Sequence, residues 1–244
     1  MKRISVCLII TFCFVQNVVF AQAYGKENGH EWVDLGLTSG TKWATCNVGA
    51  NRPEQYGGYY AWGELQQKSI YTHDTYRFYY GGKVTKYIND KKKLDFADDV
   101  AHVNWGGKWV MPTKAQQAEL LSECYWVWTE NYRGSGVKGY VVYKAKILIH
   151  VGQISERGES PSSYYNLSDT HIFLPAGGLH EQGNLENDGF GGCYWSSSLC
   201  PYSQYEAWYI IFSPTGAAVS FFGILDDNDS RHTGGSVRAV IPGE

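Results

Sequence analysis

Two short stretches carry the oxygen ligands that a calcium ion prefers. One contains Asp226, Asp227 and Asp229, and the other contains Asn187 and Asp188. Carboxylate and amide oxygens that converge from such segments bind hard cations. The same residues also build ordinary turns, because Asn and Asp side chains hydrogen-bond to their own backbone. We favour the turn interpretation, so the sequence predicts no metal site and no cofactor, with calcium left open as the alternative.

Four cysteines lie beyond residue 23. An even number of cysteines favours disulfide formation if the protein is exported, which the N-terminus predicts as described below. They are Cys46, Cys124, Cys193 and Cys200. Three pairings are open. Cys46–Cys124 with Cys193–Cys200 is favoured, because the second pair closes a short loop. The alternative is that some are small buried residues with free thiols, as a chain with a sizeable core allows.

The polar residues show no spacing that is typical of a catalytic or zinc site. No Cys-x-x-Cys occurs and the seven His are scattered along the chain, which disfavours zinc. The serines at 196–198 lack the Gly-x-Ser-x-Gly pattern of a nucleophile elbow. We therefore assign no catalytic residue.

Tyrosines in polar loops are better candidates for ligand binding. They lie among Ser, Pro, Gln and Asn in stretches without strand periodicity. A tyrosine offers a flat apolar face with one polar tip, which suits contact with a sugar ring or a protein surface. Together with the amide and carboxylate at 187–188, the candidate ligand-binding residues are Tyr164, Tyr165, Tyr202, Tyr205, Asn187 and Asp188.

The N-terminus predicts a secretory signal peptide. Lys2 and Arg3 precede an apolar stretch over 4–20, and small residues follow at Ala21 and Ala23. This order is what signal peptidase recognises, and cleavage after Ala21 or Ala23 is expected. We expect an exported protein with one domain over 24–244 and no membrane span after cleavage. The cell surface, the periplasm and the medium all remain open as its location.

Charge and composition restrict the partners and the fold class. The segment 1–23 carries two of the 21 basic residues and none of the 24 acidic ones, so the remaining chain has a net charge of −5. This disfavours nucleic acid or an anionic membrane as a partner. The 9 Trp, 19 Tyr, 10 Phe and 28 Gly are typical of strands with long ordered loops.

Two helices are expected to precede most of the strands. Asp98 and Asp99 suit the N-terminus of a short helix over 98–104 that ends at Asn104. Thr113 and Gln116 form a capping-box pattern for a helix over 113–124 that ends near Cys124. Strand-like stretches are expected over 30–37, 41–46, 126–129 and 137–143, and five more strands over 172–176, 193–197, 207–212, 217–222 and 236–241. Helices in one half and strands in the other indicate an α+β fold.

Several short sequence motifs, which occur in order along 30–241, resemble one known family. They read WVDLGL at 32–37, SGTKWA at 39–44, YYAWGE at 59–64, NWGGKWVMPT at 104–113, FLPAGG at 173–178, YWSSS at 194–198 and SVRAV at 236–240. They are similar to the Fibrobacter succinogenes major paralogous domain as it occurs in Bacteroidota secreted proteins. Val110 departs from the Arg usual before Met-Pro-Thr, and 145–170 is longer than the usual link.

The resemblance implies a C-type-lectin-like α+β domain, distantly related to formylglycine-generating enzymes. It implies no general catalytic role. The sequence therefore predicts a secreted or surface-exposed, non-catalytic binding or adhesion module for a glycan or a surface protein, with loops around 179–192, 199–206 and 223–233 as its contact face. The alternatives are an enzyme related to formylglycine-generating oxidases and a structural component of a surface assembly.

Overall fold

The computed structural model describes residues 23–88, 91–159, 162–221 and 231–243. The expected signal peptide and the acidic run with Asp226, Asp227 and Asp229 lie outside these residues. In chain order the helices are α1 (Val100–Trp105) and α2 (Lys114–Glu123), and the strands are β1 (Tyr24–Glu27), β2 (His30–Asp34), β3 (Lys42–Ala44), β4 (Tyr79–Tyr80), β5 (Lys83–Val84), β6 (Cys124–Thr129), β7 (Gly139–Lys144), β8 (His171–Pro175), β9 (Gly177–Glu181), β10 (Asn184–Asp188), β11 (Gly192–Leu199), β12 (Ala207–Ser213), β13 (Gly216–Ser220) and β14 (Val240–Ile241).

Within this part of the chain the strands form four sheets, in the orders β1-β2-β3-β14, β10-β9-β11-β12-β13, β6-β7-β8 and β4-β5. The strand pairs are antiparallel, apart from the short parallel pairing of β9 with β11 at Gly178 and Gly192. Strand β14 pairs with β3 through Val240 and Trp43, which brings the two ends of the described chain into one sheet. Mostly antiparallel sheets with two α-helices make this an α+β fold, as the sequence predicted.

Both helices begin at the caps that the sequence predicted. The Asp99 side chain accepts a hydrogen bond from the His102 backbone N–H at 3.0 Å at the start of α1. At the start of α2, Thr113 and Gln116 form the full capping box, in which each side chain bonds the other's backbone. Each cap satisfies backbone N–H groups that a helix leaves without a partner in its first turn. The observed bounds differ from the expected ones by a residue or two.

Strand β6 is buried on both faces, which explains its almost continuous apolar sequence. Its even residues Trp126 and Trp128 pack with Tyr140 of β7 in one core cluster. Its odd residues Tyr125 and Val127 belong to a second cluster on the opposite face. Side chains alternate across a strand, so one strand separates the two clusters. Helix α2 covers the first cluster with Leu120, which is fully buried.

A buried guanidinium, that of Arg238, joins segments that are far apart in sequence. Its Nε donates to Oδ1 of Asn47 at 2.9 Å, and its Nη2 donates to the backbone oxygen of Phe173 at 2.7 Å. Its Nη1 donates to the backbone oxygens of Ala44 and Thr45 at 3.1 and 3.2 Å. Burial lowers the pKa of Arg238. The residue thus ties the end of β3 to β8.

A second buried charge, Asp98, lies in the 3₁₀ turn before α1. It accepts hydrogen bonds from the Lys86 ammonium and the Tyr87 hydroxyl, and Nη1 of Arg77 lies 3.6 Å from its Oδ1. Burial by itself raises the pKa of Asp98. The hydrogen bonds from Lys86 and Tyr87 and the charges of Lys86 and Arg77 outweigh it, and hold the pKa below its usual value.

The structure corrects two expectations about the C-terminal third. Most of the expected contact loop at 179–192 is the β9–β10 hairpin, in which Leu185 pairs with His180. The strand expected over 236–241 is shorter, because only Val240–Ile241 pairs as β14, while Ser236 makes a single parallel bridge to Tyr194. The partner of β14 is β3, about two hundred residues earlier in the chain, so alternation within the C-terminal segment does not reveal how much of it pairs.

Candidate functional site

A cleft of about 860 Å³ opens beside the end of β11. Three segments line it: 198–205, which links β11 to β12, the first residues of α2, and the lysine pair Lys91 and Lys92. Trp208 of β12 completes the lining. We call this cavity the Tyr202 cleft. Its volume lies within the range of small-molecule sites, which is about 300–1,000 Å³.

The 200–206 loop is held in place by its own backbone and by a buried cation. The Cys200 N–H donates to the backbone oxygen of Glu206 at 3.0 Å, which closes the base of the loop. Nη1 of Arg231 donates to the backbone oxygen of Gln204 at 2.7 Å. Arg231 is fully buried, and its guanidinium lies 4.6 Å from the centre of the Trp62 ring. A loop fixed in this way loses little further freedom when it binds a ligand.

Three lysines line the Tyr202 cleft, and no Asp or Glu is among its described lining residues. The backbone N–H of Lys114 donates to Oγ of Ser198 at 3.0 Å, which ties α2 to β11. The backbone oxygen of Lys92 accepts from the Leu199 N–H at 2.9 Å. Lys91 pairs with Asp95 at 3.1 Å, and both side chains are exposed. The cleft is therefore locally basic in an acidic chain.

The aromatic residues of the cleft differ in how much of each ring is accessible. The Tyr202 side chain is 82% exposed, whereas Trp208 is buried. Nζ of Lys114 lies 3.2 Å from the centre of the Trp208 ring, and the Phe221 ring packs edge-on against Trp208 at 4.5 Å. Tyr202 is thus the flat apolar surface that a ligand can reach.

The structure brings only two of the six expected ligand-binding residues together. Tyr202 and Tyr205 line the cleft, and their role in ligand binding stays a prediction. Asn187 lines a separate cavity of about 390 Å³ against β12 and β13, and Asp188 is the exposed last residue of β10. Asn187 has a φ of 58°. Its backbone oxygen accepts hydrogen bonds from the Phe190 and Gly191 N–H groups, so the segment is a turn.

The two tyrosines at 164 and 165 have opposite surroundings. Tyr164 is 61% exposed, and it is not among the residues that line the Tyr202 cleft. Tyr165 is buried, and its hydroxyl accepts a hydrogen bond from the Lys146 backbone N–H at 2.7 Å. The prediction of a surface role for Tyr165 is therefore wrong, because its ring packs against Tyr125 and Tyr143 in the core.

Sequence reasoning missed the residues that give the cleft its charge. Lys91 and Lys92 belong to a Lys-rich stretch with little periodicity, and Lys114 follows the N-cap of α2 without a distinguishing pattern. The run of lysines at 91–93 was the available signal. Nothing in the sequence joins that run to Tyr202, which lies more than a hundred residues further along the chain.

All four cysteines of the described chain are buried, and no disulfide bond joins any two of them in the structure. Cys193 and Cys200 lie seven residues apart along and just beyond β11, which is roughly 20 Å at about 3.3 Å per residue. A disulfide needs Cα atoms within about 7 Å, so the short-loop pairing is wrong because the loop is an extended strand. Burial raises the pKa of Cys193 to about 12 and also raises the pKa values of Cys124 and Cys200. The pairing of Cys46 with Cys124 stays a prediction.

Two features are absent from the residues that the structure describes. In that part of the chain, no group of three or more His, Cys, Asp or Glu side chains is placed to hold a metal ion. No helix there has both the length and the apolar character needed to cross a membrane.

No family model matches the chain, and neither does any curated protein or solved structure.

Proposed function

We propose that this chain is an exported, non-catalytic binding module that holds a glycan in the Tyr202 cleft. The observation that carries the proposal is the 82% exposed ring of Tyr202 at the mouth of a cavity with polar and basic lining. An exposed aromatic face stacks on the apolar face of a sugar ring, while neighbouring polar groups bond its hydroxyls. Ser203, Gln204 and Tyr205 provide such groups beside Tyr202.

A glycan fits the cleft better than a folded protein surface does. A stable protein interface buries about 800 Å² on each partner and is broad. The Tyr202 cleft is instead concave and of the size of a small-molecule site. Its loop is also fixed by hydrogen bonds before any ligand arrives, which favours a small, defined ligand.

The C-type-lectin-like fold and the paralogous-domain family are part of this proposal. Three features support them. The pairing of β3 with β14 joins the two ends of the described chain, and both helices precede most of the strands. The family motifs at 104–113 and 194–198 also meet, because the Ser197 N–H donates to the backbone oxygen of Pro112 at 2.7 Å. Export to the cell surface, periplasm or medium rests on the sequence of the N-terminal segment.

The test is a glycan array followed by calorimetric titration of the best ligand. We expect Tyr202→Ala to weaken binding at least about tenfold, the loss typical of an aromatic anchor. Tyr80→Ala is the matched control, because Tyr80 is 81% exposed and does not line the cleft. No binding by a folded sample, or unchanged binding by Tyr202→Ala, would contradict the proposal.

One observation favours a second candidate, a component of a surface assembly. Leu148 and Ile149 lie on a 3₁₀ turn with side chains 87% and 77% exposed. Adjacent exposed aliphatic residues are typical of contact sites. Light scattering across a concentration series tests this: self-association that Ile149→Ser abolishes would support it, and a monomer at all concentrations would count against it.

The oxidase-related alternative has less support. It requires a reactive pair of cysteines, and burial raises the pKa of Cys193 and Cys200. A thiol with a raised pKa carries little thiolate near neutral pH. The two residues also lie at opposite ends of an extended strand.

A further inference from the structure

We infer that the ligand of the Tyr202 cleft is an acidic saccharide, whose carboxylate or sulfate pairs with Lys114. This inference rests on the proposed function, and it adds the charge class of the glycan. Lys91 and Lys92 lie on the same cavity and supply further positive charge. The sugar ring stacks on Tyr202, so that apolar contact and charge pairing act on one ligand.

Two of the three lysines of the cleft have no carboxylate partner among the residues that the structure describes. Among the described residues, no carboxylate oxygen lies within 4.0 Å of the Nζ of Lys92 or Lys114. Lys91 has a partner in Asp95, but that pair is exposed, and exposed pairs contribute only about 0–1 kcal/mol. A concave site that gathers charge of one sign concentrates ligands of the opposite sign.

Lys114 is a cation at a position where a protein chain normally prefers an anion. It is the first residue of α2, and the first turn of that helix holds no acidic residue. The amide groups of a helix N-terminus attract negative charge and oppose positive charge. Local conflicts of this kind are expected where a residue serves binding rather than stability.

The ammonium of Lys114 also has a fixed starting position. It lies 3.2 Å from the centre of the Trp208 ring, while its backbone is tied to Ser198. A cation–π contact leaves the positive charge intact, so the group remains able to pair with an anion. Its position is therefore defined before the ligand binds, which lowers the entropy cost of forming an ion pair.

The test compares one sugar backbone with and without its charge. Oligogalacturonates are titrated against the purified protein beside their methyl esters, in which the carboxylates are masked. Heparin oligosaccharides provide the sulfate source, and poly-glutamate provides an acidic peptide. We expect the acidic saccharides to bind and the methyl esters to bind at least about tenfold more weakly, with affinity that falls as salt is raised.

Variants then locate the charge. Lys114→Gln is expected to weaken acidic saccharide binding about twofold to fivefold, the effect of losing one ion pair in a partly exposed site. Lys83→Gln, an exposed lysine of β5 outside the cleft, should change nothing. Circular dichroism and thermal unfolding confirm that each variant is folded, and Lys92→Gln provides a second removal of charge.

The outcomes separate this inference from the proposed function. Equal binding of the acid and its methyl ester, lost in Tyr202→Ala but kept in Lys114→Gln, would overturn the acidic class and leave a neutral glycan site. Poly-glutamate binding as tightly as the saccharides, with no effect of Tyr202→Ala, would overturn it in favour of a polyanion or peptide surface. If none of these ligands binds, both the acidic-saccharide inference and the proposed glycan-binding function are overturned.

Discussion

Replacing Arg238 by lysine tests whether one buried guanidinium holds the two halves of the fold together. Arg238 is 1% exposed. Its four hydrogen bonds reach acceptors on Ala44, Thr45, Asn47 and Phe173 from three different nitrogens. Lysine keeps the charge and nearly the same length, but presents its donors from a single nitrogen. The substitution therefore keeps the positive charge but removes hydrogen-bond donors at the positions that the guanidinium occupies.

The expected cost follows from the acceptors that lysine leaves without a donor. One ammonium at the Ala44 and Thr45 oxygens cannot also reach Phe173 and Asn47, which Arg238 contacts through Nη2 and Nε. At least two buried acceptors then lose their partner, and each costs about 1–3 kcal/mol. We therefore expect Arg238→Lys to lower the free energy of unfolding by about 2–6 kcal/mol.

Urea unfolding followed by tryptophan fluorescence measures this free energy. Arg157→Lys is the matched control, because Nε of Arg157 pairs with Glu130 at 2.9 Å on the surface. Substitutions at such exposed pairs change stability by less than about 1 kcal/mol. If Arg238→Lys costs less than about 1 kcal/mol, or no more than the control, the buried hydrogen bonds do not act as argued.

Three further predictions concern the core, a buried carboxylate and the thiols. Leu120→Ala should lower the free energy of unfolding by about 2–5 kcal/mol, because it opens a cavity under α2. Leu121→Ala, at a half-buried position, should lower it clearly less. Equal losses for the two variants would contradict the burial of Leu120 in the core. The pKa of Asp98 is held below its usual 3.8, so its contribution to stability is complete above pH 3.8 and is lost as the pH falls through the lower folded value. The stability difference between the wild type and Asp98→Asn, measured by urea unfolding from pH 7 to pH 3, should shrink below pH 4; a constant difference would contradict this. With a thiol reagent at pH 8, the native protein should show no fast reaction at Cys193, because burial raises the pKa of that thiol to about 12. After unfolding without reductant, at least two thiols should react, those of Cys193 and Cys200; a count of zero would establish that these two are disulfide-bonded instead.

Local signals in the sequence were enough to predict the helices. Asp99 caps α1, and the Thr113–Gln116 pair caps α2. Each of these contacts joins residues three apart, so the pattern of residue types specifies the structure without knowledge of the rest of the chain. The strands β6 and β12 were predicted for a similar reason, since each contains a nearly continuous run of apolar and aromatic residues.

The sequence did not reveal how the surroundings of neighbouring residues differ when those residues share one local pattern. Tyr164 and Tyr165 share a polar loop, yet the first is exposed and the second is buried. Cys193 and Cys200 are close in sequence, yet an extended strand holds them apart. In both cases the outcome depends on what packs against the segment, which is information from elsewhere in the chain.

By itself the sequence determined the α+β class and the caps of both helices. It also marked Tyr202 and Tyr205 as candidate binding residues, without showing that they share a cleft. Only the tertiary structure placed Lys91, Lys92 and Lys114 around Tyr202. Only it showed that Arg231 anchors the 200–206 loop, which carries Tyr202. The physical reason is distance along the chain. Caps and strand periodicity act over a few residues, whereas a cleft forms where packing brings together segments roughly a hundred residues apart, whose charges have no local pattern in common.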